Sequence, residues 1–328
     1  MLWKVLTCPQ CSAPLPKQAR WRMVTCTFCK ATVGLGQQVV EAASYHQAWL
    51  RARAEALFHA DRLDCGRHSF RILARAGGDG SSQSFLALRL LPTAVLVGLE
   101  VAADEEGADR LRREAAVLRE LHRSEAPGAH AFTRRLPLVL ALELSEGPLA
   151  PGQVALALRH PPATWGSLAQ VQEKLPAGIE ATHAVWIWRR ILETLAFAHD
   201  SGWVHGDLSL GNLMVHPHDH LVHLAGWSSA APLEAAGPLG WRKKLDRPTA
   251  QRDLVQSGWA IRSLLAGATA GEPPCDKAPA PLAALLRRVT EDFDYTRDLP
   301  ARTLAAEVAA AAREAFGPPR FVHFEIPS

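Results

Sequence analysis

Apolar side chains recur every three or four positions in several stretches of the chain, which is typical of helices with one buried face. The longest stretch covers about residues 183–199 and is followed by Gly202, a residue type that commonly ends helices. The same spacing predicts helices near residues 167–175, 281–289 and 299–316, the first with Ser167 as its N-cap. Residues 41–64 are predicted to form an amphipathic connector helix.

Shorter apolar runs bounded by turn residues predict strands in the first half of the chain. Residues 70–73 and 84–88 form one such pair around the glycine-rich turn 77–82, and residues 94–101 and 154–158 are two further runs. Residues 213–215 have the same character. Because most of the strands precede the long helices, the pattern predicts an α+β fold.

The composition is that of a globular protein with ample core, since 48% of the 328 residues are hydrophobic and 21% are charged. No apolar run reaches the ~18 residues that a membrane span needs, and no signal-peptide core precedes the first cysteines. Six cysteines without a secretion signal are typical of metal ligands or free thiols in a reducing compartment. We therefore expect a cytoplasmic protein that makes no membrane contact.

Two C-x-x-C pairs near the start of the chain have the spacing of a zinc site. Cys8 and Cys11 form the first pair, and Cys26 and Cys29 form the second. Four thiolates at about 2.3 Å close a tetrahedral zinc site with no open position, so such a zinc is structural. A single pair could also be a redox motif, but two in tandem favour zinc. Residues 1–40 resemble a zinc ribbon.

The predicted ribbon is basic, because residues 1–40 contain five lysines and arginines and no acidic residue. One interpretation is a solvated surface or a docking face for a protein partner or for the rest of the chain. The other is a contact with nucleic acid or an acidic partner, aided by Trp21 and Phe28. We favour the first, because the net charge of the whole chain is only +3.

A short loop between the long helix and the strand at 213–215 contains His205, Asp207 and Asn212. The stretch V-H-G-D-L-S-L-G-N-L-M-V resembles the catalytic loop of the protein-kinase-like superfamily, whose pattern is H-x-D-L-x-x-x-N. The resemblance implies that Asp207 takes the proton of an attacking hydroxyl and that Asn212 holds a magnesium ion.

Other landmarks of that superfamily follow in the same order over about residues 66–316. They are the glycine-rich hairpin, a third strand, a helix over residues 111–118 and a later helix that begins near Asp253, which in the superfamily anchors the catalytic loop. The resemblance implies a bilobal kinase-like domain over residues 65–328. Its small β-rich N-lobe would cover about 65–158 and its helical C-lobe about 163–328, with the zinc ribbon in front.

The positions that match the nucleotide cleft of the superfamily keep only part of its pattern, and they are Gly77, Gly78, Gly80, Glu100 and Glu114. Gly77 matches the first glycine of G-x-G-x-x-G, but Asp79 and Ser82 stand at the second and third glycine positions. Glu100 occupies the position of the phosphate-binding Lys that normally pairs with the acid at Glu114. Two carboxylates about 4 Å apart repel by roughly 4 kcal/mol at an effective dielectric near 20. We expect Glu114 to turn outward, one carboxyl to take a proton or a cation to lie between them; alternatively, Glu100 simply faces solvent.

Two further positions lack the expected side chain. Gly226 occupies the place of the magnesium-binding Asp of the D-F-G motif, with Trp227 in the place of the Phe. Gly206 replaces the Arg of the common H-R-D form. Four histidines lie between the two motifs, at 216, 218, 220 and 223, and are interpreted as part of a polar turn, with a metal site as the alternative.

The losses of the phosphate-binding Lys, of the D-F-G Asp and of two loop glycines all weaken the grip on a magnesium triphosphate, on which phosphoryl transfer depends. The leading hypothesis is therefore a pseudokinase that serves as a regulatory or scaffolding module, for which ATP and magnesium binding is doubtful. One alternative is an active atypical phosphotransferase, acting on Ser/Thr or on a small molecule, that uses Asp207 and Asn212 with ATP. Another is a nucleic-acid adaptor led by the ribbon.

Overall fold

The computed structural model of the protein describes residues 23–25, 32–34, 61–78, 80–89, 94–146, 151–161, 164–217, 219–233, 248–267 and 277–327. Two short strands, β1 (Met23–Thr25) and β2 (Thr32–Gly34), pair antiparallel near the start of the chain. The zinc-ribbon cysteines and most of the predicted connector helix lie outside the described residues. Cys26 and Cys29 belong to the segment that joins β1 to β2.

Six antiparallel strands then close into a barrel in the order β3-β4-β5-β6-β8-β7. They are β3 (Arg62–Cys65), β4 (His68–Gly78), β5 (Ser82–Arg89), β6 (Val95–Ala102), β7 (Leu138–Glu146) and β8 (Val154–Arg159). Side chains of β8 alternate between two cores, as a strand requires. Ala155 and Ala157 pack in the barrel cluster, whereas Leu156 and Leu158 join the core formed with the helices.

Helix α1 (Glu105–Arg123) interrupts the barrel strands between β6 and β7. Asp104 caps it, since its carboxylate accepts a hydrogen bond from the Gly107 N–H at 2.8 Å. The short helix α2 (Ala129–Phe132) and a 3₁₀ turn (Thr133–Arg135) lead back to β7. Apolar residues along α1 are buried against the helical core, so α1 joins the barrel to the rest of the molecule.

The helices after the barrel pack around a single apolar core. They are α3 (Leu168–Lys174), α4 (Ala181–Asp200), α5 (Ala250–Ala266), α6 (Ala280–Glu291), α7 (Phe293–Thr296) and α8 (Ala301–Phe316). Ser167 caps α3 in a capping box with Gln170, as the sequence predicts. None of the helices in the described part of the chain is long and apolar enough to cross a membrane.

Short strands lie beside the predicted catalytic loop. They are β9 (Gly166–Ser167), β10 (Trp203–Val204), β11 (Leu213–His216), β12 (Leu221–Leu224) and β13 (Ala231–Pro232). β11 pairs with β12 and β9, and β10 pairs with β13. The loop from residue 205 to residue 212 therefore leaves β10 and enters β11. A 3₁₀ turn (Trp227–Ser229) follows β12.

The prediction of a mixed fold of strands and helices is confirmed, and two of its boundaries are corrected. The last residues of the predicted connector, 62–64, form strand β3, because they pair with β4 and β7 in the barrel. Gly77 and Gly78, placed in a turn by the sequence, belong to β4, which stays paired with β5 as far as Gly78 and Gln83. Only residues 79–81 are left to connect the two strands.

Candidate functional site

A buried carboxylate holds the loop that contains His205, Asp207 and Asn212. Asp253 in the first turn of α5 is fully buried. One of its oxygens accepts a hydrogen bond from the Gly206 N–H at 2.8 Å, and the other accepts one from the His205 N–H at 2.9 Å. His199 Nε2 also lies 2.9 Å from the second oxygen. The predicted anchoring of the loop by Asp253 is therefore confirmed.

The His205 ring connects this loop to the end of β12. Its Nδ1 accepts a hydrogen bond from the Asp207 N–H at 3.3 Å, so a neutral ring carries its proton on Nε2, which donates to the Ala225 carbonyl at 2.9 Å. Burial lowers the pKa of His205, although the nearby Asp253 carboxylate opposes the shift. The ring packs edge-on against Trp227, with 4.5 Å between centroids. His205 is therefore a neutral structural link.

Gly206 cannot carry a side chain in this loop. Its φ is +83°, in the region that favours glycine, and a Cβ there would lie 2.6 Å from the Ser229 carbonyl oxygen and 3.0 Å from Pro248 Cβ. The arginine of the common H-R-D form is therefore excluded by the path of the backbone, not merely absent from the sequence.

Asp207 and Asn212 are brought together, but they bind each other. Asn212 Nδ2 donates to Asp207 Oδ2 at 2.9 Å and to the Asp207 carbonyl at 3.2 Å. The Ser209 N–H donates to the other carboxylate oxygen at 3.2 Å. Asp207 is only half-buried, so its carboxylate still contacts solvent. The amide nitrogen of Asn212 thus holds Asp207, and these bonds do not use the amide oxygen.

Gly226 lies directly against Asn212. Its φ is +73°, and a Cβ at this position would lie 2.4 Å from Asn212 Oδ1. Magnesium in phosphotransferases is held by one or two carboxylates with near-ideal octahedral geometry. Here residue 226 supplies no carboxylate, so the Asn212 amide oxygen, which its bond to Asp207 does not use, is the one ligand left at the two superfamily metal positions. The residues present do not fit the magnesium ion that the superfamily uses.

Glu114 of α1 is 1% exposed and lies beside the same segment. One of its carboxyl oxygens accepts a hydrogen bond from the Trp227 N–H at 3.0 Å. Burial raises the pKa of Glu114 to about 8, and the charge of Glu100 adds to the rise, against the hydrogen bond from Trp227 and the charge of Arg110. Of the outcomes expected for two facing acids, uptake of a proton is the one that this environment favours.

Trp227 fills the space between α1 and the catalytic loop. Its ring is fully buried, and its Nε1–H donates to the Leu224 carbonyl at 3.0 Å. Arg113, next to Glu114 in α1, donates to the Ser228 carbonyl at 3.2 Å. The segment in the D-F-G position is therefore fastened to α1 by two residues. The role of Arg113 was not predicted, since the sequence does not show which carbonyl meets an exposed helix residue.

The end of the β4–β5 hairpin is held by α1 as well. The Ser81 carbonyl accepts from the Ala103 N–H, and the Ser81 hydroxyl accepts from Arg110, both at 2.8 Å. A Cβ on Gly107 would lie 1.9 Å from the Ser81 carbonyl oxygen, so the hairpin approaches α1 closely. Gly77 and Gly78 lie in β4, and Gly80 is exposed next to this contact. The close approach to α1 is thus made by Ser81, whereas Gly77 and Gly78 continue the pairing of β4 with β5.

The histidines between the two motifs do not gather around one point. His216 and His223 are buried in β11 and β12, whereas His220 is in the turn between them and stacks on Trp186. His218 lies outside the described residues. Among the residues that the structure describes, no group of three or more His, Cys, Asp or Glu side chains could hold a metal ion. For His216, His220 and His223 the interpretation as part of a turn and its flanking strands fits this arrangement.

Comparison with known proteins supports the assignment of the fold. Residues 46–223 match APH, the phosphotransferase enzyme family of the protein-kinase-like superfamily. The match covers more than half of the chain, from before the barrel to β12, and includes Glu100, Glu114, Asp207 and Asn212. The curated proteins give no match to this chain. The chain belongs to the APH phosphotransferase enzyme family.

Proposed function

We propose that the protein is a pseudokinase: a kinase-like domain of this family that does not transfer phosphate and acts as a regulatory or scaffolding module for a protein partner. The observation that carries the proposal is the missing carboxylate at residue 226, where Gly226 lies against Asn212. Of the two superfamily metal ligands only the Asn212 amide oxygen is left, and it is uncharged. Phosphoryl transfer depends on positioning and on charge neutralisation by the metal, so the loss of the carboxylate ligand removes most of the grip on that metal.

The charges around α1 also oppose a triphosphate. Glu100 stands where the superfamily has its phosphate-binding lysine, and burial raises the pKa of Glu114 to about 8, which favours a neutral acid beside the Trp227 N–H. A negatively charged Glu100 repels phosphate, and a neutral Glu114 orients no cation towards it. This arrangement keeps α1 in place without a lysine–glutamate ion pair. It supports a structural use of the fold rather than a catalytic one.

The direct test is phosphoryl transfer by the purified full chain with labelled ATP. The expected result is no transfer, to the protein itself, to general protein substrates or to a panel of amino- and hydroxyl-bearing small molecules, above that of Asp207→Asn. Asp207→Asn is the matched control because its amide keeps the contact with the Ser209 N–H but cannot act as a base. Transfer that Asp207→Asn abolishes would refute the proposal.

A second candidate is an active atypical phosphotransferase. It is favoured by Asp207 itself, which is partly exposed and held by Ser209 and Asn212 in a loop anchored on Asp253. In this case a cation would be bound by a group other than residue 226. Asn212→Ala should then abolish turnover, because Asp207 would lose its partner. Turnover that is unchanged in Asn212→Ala would count against this candidate.

We further propose that residues 1–40 form a structural zinc ribbon on Cys8, Cys11, Cys26 and Cys29, which docks a partner or braces the kinase-like domain. The antiparallel pairing of β1 with β2 supports this, because it makes Cys26 and Cys29 part of a hairpin connection, a common position for a zinc knuckle. Elemental analysis should give one zinc per chain, and Cys26→Ser should release it. A nucleic-acid role would instead require binding of labelled DNA or RNA that weakens steeply with salt.

The division of residues 65–328 into two lobes is part of the same proposal. It is supported by the separate apolar cluster inside the barrel, which shares no residue with the core around the helices. Residues 160–163, which leave β8, would then connect the lobes.

A further inference from the structure

Three aromatic rings from distant parts of the chain form one stack. The His220 ring, in the turn between β11 and β12, lies over Trp186 of α4 with 4.3 Å between centroids and 5° between planes. Phe321 covers the other face of His220 at 4.3 Å and 17°. Phe321 belongs to the segment after α8, residues 317–327, which has no helix or strand. We call this segment the tail.

A second tail residue fixes the same contact. Phe324 is 5% exposed and packs with the helical core. Its ring lies 4.6 Å from His183 and 5.8 Å from Trp186, both in α4. Phe321 and Phe324 therefore hold the tail through aromatic contacts. The rings that they contact outside the tail are His183, Trp186 and His220, and two of these three are histidines.

Both histidines must be neutral for this arrangement to persist. The Trp186 Nε1–H donates to His183 Nδ1 at 3.3 Å, so this nitrogen is an acceptor. A protonated imidazole has two donors and no acceptor, and the contact would then set one donor against another. His220 Nε2 is buried and has no hydrogen-bond partner among the residues that the structure describes, so a proton there would be a desolvated charge.

The surroundings add positive charge rather than negative charge to His220. Arg190 of α4, His183 of α4 and His323 of the tail each lower the pKa of His220, to about 4 together with burial, which is the largest cause. A hydrogen bond to the Val322 backbone opposes this shift. Among the acidic groups, Glu180, which precedes α4, raises the pKa of His183, Asp219 faces His216 at 3.5 Å, and Glu325 is exposed in the tail.

We propose that the tail is a pH-sensitive strap: it docks on α4 while His183 and His220 are neutral, and it leaves when they take up protons. Release would expose the apolar faces of Trp186 and of the pocket that holds Phe324. This function is independent of phosphoryl transfer, because none of the residues in the stack belongs to the loop that contains Asp207.

The direction and the size of the pH effect on docking follow from the linkage between proton binding and docking. A histidine whose pKa is lower in the docked state stabilises docking above its ordinary value and opposes docking as the pH falls towards the lowered value. With an ordinary value of 6.5 and about 4 when docked, His220 alone makes the docking equilibrium constant about 30-fold smaller at pH 5 than at pH 8. Burial lowers the pKa of His183 too, so it acts in the same direction.

The test is hydroxyl-radical footprinting of the full chain at pH 8 and pH 5, in which mass spectrometry measures the oxidation of the docked tail side chains Phe321 and Phe324. Their protection should fall by up to about 30-fold between the two conditions, while that of α8 stays constant. His220→Phe keeps a flat ring in the stack but cannot be protonated, so its tail should lose much less protection at pH 5 than that of the natural chain, with only His183 left to titrate. The exposed His130→Phe is the matched control and should behave as the natural chain.

Phe321→Ala shows whether the measured protection reports docking of the tail. This variant should remove tail protection at both pH values and leave the protection of α8 unchanged. Equal tail protection of the natural chain at pH 8 and pH 5 would overturn the proposal. So would an equal loss in His220→Phe and the natural chain, or full tail protection in Phe321→Ala.

Discussion

The Asn212 side chain fills the space that any side chain at residue 226 would enter. A Cβ on Gly226 would lie 2.4 Å from Asn212 Oδ1 and 2.5 Å from its Cγ, while Asn212 Nδ2 is bonded to Asp207 at 2.9 Å. The bond to Asp207 uses the amide nitrogen of Asn212 and not its oxygen, so a side chain at residue 226 would have to displace an amide that already holds Asp207. The missing acid at residue 226 is thus built into the packing of the catalytic loop.

The first prediction concerns the restoration of the missing acid. Gly226→Asp should destabilise the protein by about 1–3 kcal/mol, because the residue has φ +73° and the new side chain must displace Asn212 from Asp207. It should not by itself create magnesium-dependent nucleotide binding. Denaturant unfolding measures the change in stability.

Gly211→Ala is the control for that variant, since a Cβ on Gly211 meets nothing within 4 Å. We expect a change within about 0.5 kcal/mol for it. A Gly226→Asp protein as stable as Gly211→Ala would contradict the crowding described here.

The second prediction concerns Glu114, whose pKa is raised to about 8 from an ordinary 4.5. Between these values the folded protein binds more protons than the unfolded chain, so this group makes the protein less stable as the pH rises. Glu114→Gln resembles the protonated acid and has no such penalty. Its stability relative to the natural chain should therefore increase from pH 5 to pH 8, by at most about 1.4 kcal/mol per pH unit.

Unfolding at a series of pH values tests this, with Glu106→Gln as the control on an exposed position of the same helix. Glu106→Gln should track the natural chain at every pH. A stability difference for Glu114→Gln that is flat, or that shrinks with rising pH, would show that Glu114 is ionised in the folded protein.

The third prediction concerns the anchor of the catalytic loop. Asp253→Ala should cost about 3–5 kcal/mol, because it leaves the buried N–H groups of His205 and Gly206 without acceptors and removes a fully buried charge with several partners. Asp109→Ala, on an exposed position of α1, should change stability by no more than about 0.5 kcal/mol. Equal stabilities of the two variants would contradict the role assigned to Asp253.

The fourth prediction concerns Trp227, which is fully buried between α1 and the catalytic loop. Trp227→Ala should cost about 3–5 kcal/mol through the cavity it leaves. Trp227→Phe should cost clearly less, since it keeps most of the packing and loses the Nε1–H bond to Leu224. The free energy of unfolding of both variants checks the order. Because both variants lose the hydrogen bond, equal costs or a reversed order would contradict the packing role assigned to the ring.

Much of the fold follows from local patterns. The apolar runs of β6 and β8, the long apolar face of α4 and the capping position of Ser167 are all visible in the sequence, because each depends on neighbouring residues. The anchoring by Asp253 followed from a resemblance between motifs. The start of the barrel was missed because β3 has only four residues and its pairing partners lie in β4 and β7.

The details of the candidate site were harder to predict, because they join residues that are far apart in the chain. The sequence shows Gly226 as a missing acid, but not that Asn212 occupies its space. It shows two facing acids at 100 and 114, but not which outcome relieves their repulsion, which depends on the burial of Glu114. The stack of Trp186, His220 and Phe321 has no signal in any one segment.

The most direct test of the central claim is nucleotide binding by the full chain, measured by thermal shift with ATP and ADP in the presence of magnesium, manganese or EDTA. If the missing carboxylate at Gly226 leaves no metal site, magnesium or manganese should not raise the unfolding temperature beyond any rise that nucleotide causes in EDTA. A shift with ATP that requires magnesium or manganese, and that Asp207→Asn or Asn212→Ala removes, would contradict the account and identify an active metal-nucleotide site.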